Sequence, residues 1–94
     1  MRVISRRALL DAARRHNDLE APLDVWYRFA KKSSWTCLND IRATWRDTDV
    51  VDRWTVFNIK GNGYRLIASI NYKSQTVFIK RVLTHAEYDK GAWK

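Results

Sequence analysis

One cysteine, one proline, one methionine and three glycines are all that the 94 residues contain of those four types. A lone Cys37 excludes an intramolecular disulfide and a cysteine-built zinc site and leaves nothing that points outside the cytosol; it is expected to be a small buried hydrophobe rather than a reactive thiol. So little glycine and proline, beside 46% hydrophobic and 30% charged residues, excludes the fibrous and disordered classes. No apolar run approaches the roughly 20 residues that a membrane span needs. The opening MRVISRRALLDAARRH carries charges every few residues where a signal peptide has an apolar stretch, so a soluble, cytoplasmic protein without a membrane segment is expected. The Gly-Asn-Gly at 61–63 has neither the spacing nor the following helix of a phosphate-binding loop and reads as a tight turn. Repeats, linkers and low-complexity stretches are absent.

What the chain does have is aromatic mass and positive charge. A chain this short buries only about 60 to 65% of its unfolded surface, so a single domain over 1–94 needs a dense core. Five Trp, four Tyr and three Phe supply it. Of Trp26, Trp35, Trp45, Trp54 and Trp93, which could stack on bases, most are expected to pack, and Trp93, beside Lys94, is the one expected to be exposed or to meet a partner. Eighteen Lys and Arg against ten Asp and Glu leave a formal charge of +8, which favours a nucleic acid or another polyanion as partner. Residues 1–16 carry five Arg and one acid, net +4; residues 60–94 carry seven bases and two acids, net +5; the 17–59 stretch between them is at net −1. Basic ends around a neutral middle predict that the two termini meet and build one positive surface.

Periodicity gives an α+β order. MRVI reads as a strand, and Ser5 as the N-cap of a helix to about His16, with Ala8, Leu9, Ala12 and Ala13 inward and Arg7, Asp11, Arg14 and Arg15 outward. Pro22 suits the first turn of a second helix, LDVWYRFAKKS, so the polar link HNDLEA makes a helical hairpin. WTCLNDIRATWRDTDVVD predicts a helical turn or two near Cys37–Arg42 and then an acidic loop. From Trp54 the period becomes two: WTVFNIK, YRLIASINY and TVFIKRVL form an antiparallel meander, and a short helix ends the chain. The helices pack on one face of the sheet and leave the other face free.

The chemistry-bearing residues gather near the end. Thr84-His85-Ala86-Glu87 fits a capping box, which makes His85 the first helical residue, where the helix dipole favours a neutral ring, and sets Tyr88 at i+3 on the same face. Beside them the strands carry Arg65, Lys80 and Arg81. Neighbouring strand residues alternate, so only one of Lys80 and Arg81 shares Arg65's face. This set suits attack of an RNA 2′-hydroxyl on the adjacent phosphate, a reaction that needs no metal and no cofactor. His85 serves as base or acid, Tyr88 as acid or positioning donor, and Arg65 and Lys80 as the cations. DNA, which lacks the 2′-hydroxyl, is inert to it. His16 closes a helix and reads as structural, whereas the arginines of the first helix, Arg6, Arg7 and Arg14 among them, are candidates for phosphate contact.

VFNIKGNGYRLIASINYKSQTVFIKRVLTHAEYD, residues 56–89, resembles the HigB-type toxins of bacterial type II toxin-antitoxin systems, whose fold is that of the RelE and ParE toxins. The opening MRVISRRALLDAARRH matches that family's start, so the resemblance spans nearly the whole chain; its most specific parts are F-N-I-x-G-N-x-Y-R and T-H-x-E-Y-D. It implies a small endoribonuclease, an mRNA interferase, acting on messenger RNA at the ribosome and silenced by a cognate HigA-like, helix-turn-helix antitoxin. By the same resemblance Arg65 is the family's strand arginine, Lys80 falls where relatives also have a base, and His85 and Tyr88 are the terminal pair. Ala86 stands where the wider RelE group commonly has Arg, which leaves Lys80, Arg81 or Lys60 to balance phosphate charge. The ParE relatives share the fold and act on DNA gyrase, so a non-catalytic basic toxin or binding module is the alternative, separated from the nuclease by the His85–Tyr88 pair and its cations.

Overall fold

In the computed structural model, which describes residues 1–61 and 63–94, the chain runs β1 (Arg2–Ile4), α1 (Arg6–Arg15), a 3₁₀ turn (Asn17–Leu19), α2 (Glu20–Lys32) and α3 (Leu38–Thr44), then β2 (Thr48–Val51), β3 (Trp54–Ile59), β4 (Tyr64–Asn71), β5 (Thr76–Thr84) and α4 (His85–Lys90). The expected helical hairpin, meander and final helix are all present. The sheet is larger than the meander, however: its order is β1-β5-β4-β3-β2, with β1 parallel to β5 and every other pair antiparallel. The stretch expected as an acidic loop is instead the edge strand β2. Its β-branched Thr48, Val50 and Val51 pair with β3 through a two-residue turn in which Asp52 takes φ 56°, a conformation that Asp tolerates better than most residues. Asn62, the centre of the expected Gly-Asn-Gly turn, lies outside the described residues.

Strand alternation sorts the sheet into two faces. One presents Phe57, Ile59, Leu66, Ala68, Val77 and Val82 to Leu9, Ala12, Leu19, Leu23, Trp26 and Ala30 of the helical layer, with Trp35 and Ile41 filling the end. Trp26 and Phe57, both fully buried, meet edge to face at 5.2 Å; each such side chain contributes about 1.5–3 kcal/mol by leaving water. The opposite face carries Val56, Ile67 and Leu83, covered by Trp93 and flanked by Val51, Trp54 and Tyr88.

Ser5 is the N-cap of α1 as expected, though without a side-chain cap bond; its backbone carbonyl accepts from Ala8 N–H. Two local expectations are corrected. Cys37 is exposed, because it is the extended N-cap residue of α3 and Trp35 takes the core position beside it. Trp93 is only 4% exposed: Gly91, with φ 73°, ends α4 in a left-handed turn that folds the following residues back onto the sheet. The two termini do meet, through the β1–β5 pairing and the packing of α1 on β5. Among the described residues, no helix is long and apolar enough to cross a membrane.

Candidate active site

α4 begins where β5 ends, and the capping box fixes the joint. Thr84's hydroxyl accepts from Glu87 N–H at 3.2 Å, and Glu87's carboxylate accepts from Thr84 N–H at 2.9 Å. That backbone bond leads the causes that hold the Glu87 carboxyl below its usual range. His85 N–H donates to Gly63 O at 3.0 Å, tying the helix start to the β3–β4 hairpin. His85 is thereby the first residue of a helix that starts where the sheet ends, as the sequence predicts, with Tyr88 three residues on.

Around Tyr88 the geometry is close. Arg65 carries its guanidinium over the Tyr88 ring, 5.3 Å from the centroid, and donates to Tyr64 O at 3.2 Å. Tyr88 stacks on Trp93 at 5.1 Å and 17°. Arg65 and Tyr88 form one wall of an open cleft of about 430 Å³, and Asn58, the register partner of Arg65, lies between this wall and a second one made by Arg42, Arg46, Asp47 and Asp49. Arg42 is held there by its Nε–H donating to Thr48 O at 2.9 Å and by Asp49 at 3.7 Å.

His85 stands beside this cleft rather than in its lining. Its side chain is half exposed, and its Nδ1 lies 2.8 Å from Asp89 Oδ2, one helical turn on. An Nδ1–H donated to a carboxylate leaves Nε2 as the ring's available lone pair, the arrangement a general base requires.

The other cations are dispersed. A bulge between Ile67 and Ala68 of β4 leaves Lys80 as an extra residue on β5 and reaims it. Lys80 lies on Arg65's face, its Nζ 4.0 Å from the Trp54 ring and 2.6 Å from Trp93 O. Arg81 is exposed and, together with Lys80, lines a second groove beside α1, with Arg15 and Glu87. Lys60 pairs with Asp18 at 2.8 Å, Arg6 lies over the Tyr27 ring at 4.7 Å, Arg7 faces Asp11 at 3.9 Å, and Arg14 is exposed on α1. The structure thus brings together Arg65, Tyr88 and, on the same helix, His85; Lys60, Arg6, Arg7 and Arg14 lie elsewhere.

Sequence reasoning missed Asn58, Arg42, Arg46, Asp89 and Trp93. Asp89, at i+4 from His85, was within reach of the helical spacing rule; the others depend on the strand register and on folds of the chain that spacing does not encode. Among the described residues, no three His, Cys, Asp or Glu side chains converge as a metal site would need.

A helical hairpin behind a sheet whose open face carries an arginine-lined cleft is consistent with the RelE-like toxin fold. Residues 19–91 match the HigB_toxin family, the RelE-like toxic component of a toxin-antitoxin system, and the chain belongs to that family. Among curated proteins it is similar to the mRNA interferase HigB of Escherichia coli O6:H1 (strain CFT073), 30% identical over 93 residues that cover 96% of this chain and 90% of the relative. It is likewise similar to the mRNA interferase toxin HigB of Escherichia coli K12 and the mRNA interferase HigB of Shigella flexneri, each 30% identical over 92 residues, 95% of this chain and 88% of the relative.

Proposed function

We propose that this chain is an mRNA interferase: an endoribonuclease that cleaves messenger RNA at the ribosome in the cytoplasm and is held inactive by a HigA-like antitoxin. Its membership of the HigB family and the names of its relatives support the activity. The observation that best supports the site is the junction at α4, where His85 has its Nδ1 on Asp89 and Tyr88 lies under the Arg65 guanidinium. His85 Nε2 takes the proton of the 2′-hydroxyl as O2′ attacks phosphorus. The P–O5′ bond breaks, Tyr88's hydroxyl supplies a proton to the leaving 5′-oxygen, and the products are a 2′,3′-cyclic phosphate and a free 5′-hydroxyl. Arg65 stabilises the extra charge on the phosphorane. Lys80, turned to the same face, adds positive potential from behind Trp93, and Lys60, Arg81, Arg6, Arg7 and Arg14 draw the polyanion to the surface without touching the reacting phosphate.

The test is inducible expression of the wild type and of His85→Ala in bacteria, with primer extension on abundant messages within minutes. The expected outcome is discrete new 5′ ends, in register with translated frames, from the wild type alone, and loss of growth inhibition in a well-folded His85→Ala protein. An equally toxic, folded His85→Ala protein would overturn the assignment of His85. Toxicity without new RNA ends would overturn the nuclease and point to a gyrase-type or simple binding mechanism.

A further inference from the structure

From the contacts around the final turn we infer that Trp93 is a positioning residue for Tyr88 and that Lys80 acts through it, so that the turn after α4 is part of the active centre. The inference rests on Tyr88 having the role proposed above. Trp93 touches Tyr88 twice. Its indole stacks on the phenol ring at 5.1 Å and 17°, and its Nε1–H donates to Tyr88 O at 2.9 Å, the same carbonyl that accepts the Gly91 N–H closing the helix. Trp93 is itself fixed on both sides. Val56, Ile67 and Leu83 form its bed, and its carbonyl accepts from Lys80 Nζ at 2.6 Å.

The Tyr88 ring therefore has two planar neighbours, the Arg65 guanidinium at 5.3 Å and the Trp93 indole at 5.1 Å. A tyrosine on a helix of six residues would otherwise sample several rotamers. Here the ring is confined, at a residue that lines the arginine-rich cleft. This also gives Lys80 a function that its location explains. An ammonium donating to a main-chain carbonyl and lying over Trp54 acts as an anchor for the turn, with its charge spread behind the site.

Packing alone would make Trp93 matter to stability, whereas positioning makes it matter through the Tyr88 hydroxyl, and a mutant cycle separates the two. The rate of appearance of new 5′ ends is measured on a defined message in a bacterial cell-free translation extract, which contains ribosomes. The variants are Tyr88→Phe, Trp93→Ala, Trp93→Phe, Lys80→Met and each of the last three combined with Tyr88→Phe. Trp93→Ala is expected to slow cleavage about 30-fold and Lys80→Met about tenfold, with Trp93→Phe recovering to within about threefold of wild type. In the Tyr88→Phe background, each of these losses should shrink to less than about twofold. In parallel, carbon-13 tyrosine spectra, assigned with Tyr88→Phe, should show an upfield Tyr88 ring signal that Trp93→Ala abolishes and Trp93→Phe retains.

If the losses multiply with that of Tyr88→Phe, Trp93 is a packing residue and the inference falls while the nuclease stands. If Trp93→Ala fails to fold, Trp93→Phe and Lys80→Met carry the same comparison. If the wild type yields no new ends, the proposed function falls and takes this inference with it.

Discussion

Arg65 shows how one side chain joins fold to chemistry. Its β4 position puts it on the open face, paired with Asn58, and its flat guanidinium covers the Tyr88 ring. A lysine would keep the charge but not the plane or the forked donors. Arg65→Lys is therefore expected to slow message cleavage by about tenfold or more, and Arg65→Ala by about a hundredfold or more, with unchanged circular dichroism in both; 5′-end formation in a translation extract measures it. That Arg65 lies on a strand and that His85 and Tyr88 lie three apart on a short final helix was legible from strand and helix spacing. Trp93 was not, since its burial depends on Gly91 reversing the chain. Lys80 was half legible: strict alternation would set Lys80 and Arg81 on opposite faces, but a bulge that no residue type announces interrupts the alternation between Ile79 and Arg81.

At the scale of the element, α4 shows how much a six-residue helix owes to its ends. Isolated helices of this length do not persist in water, so its two caps and the sheet beneath it hold it in place. Thr84→Ala removes the acceptor of the capping box and is expected to cost about 1 kcal/mol, read as a lower urea midpoint with the slope of the transition unchanged. Because His85 and Tyr88 lie on that helix, the same change should lower cleavage beyond what the unfolded fraction explains. The capping box was readable from Thr84-His85-Ala86-Glu87 itself. β2 was hidden because Asp47, Asp49 and Asp52 masked its alternation, although Thr48, Val50 and Val51 are strand formers.

Across the whole molecule, one polar clasp ties the helical layer to the β3–β4 hairpin. Asp18, in the turn between α1 and α2, accepts from Lys60 Nζ at 2.8 Å and from the Tyr64 hydroxyl at 3.0 Å. The bonds from Lys60 and Tyr64 hold Asp18 below its ordinary value of 3.8, and the bond to Asp18 raises Lys60 above 10.5; burial, then the bond to Asp18, raises Tyr64 above 10.0. A depressed carboxylate stabilises the fold above its ordinary value and loses that contribution as pH falls through the lower folded one. A raised lysine or tyrosine contributes below its ordinary value and loses that contribution as pH climbs through the higher folded one. Asp18→Asn should thus melt below the wild type by a constant, small margin from about pH 5 to 9, and the margin should close below about pH 4 and again above about pH 10; thermal melts across pH test this. Lys60 was expected to meet RNA because the sequence gives its charge but not its carboxylate partner, 42 residues earlier.

The parallel pairing of β1 with β5 has a kinetic consequence. It joins Arg2 to Thr76, 74 positions apart along the chain (76 − 2). The helical hairpin and the meander assemble from neighbours, but this seam closes only after most of the chain is in hand, and it bears the largest loop-closure entropy. Until then the outer edge of β5 over Thr76–Phe78 is open to any extended strand that reaches it. The N-terminal strand is thus a late-forming guard of the sheet, and changes within it should show in how fast the protein unfolds rather than in how fast it folds.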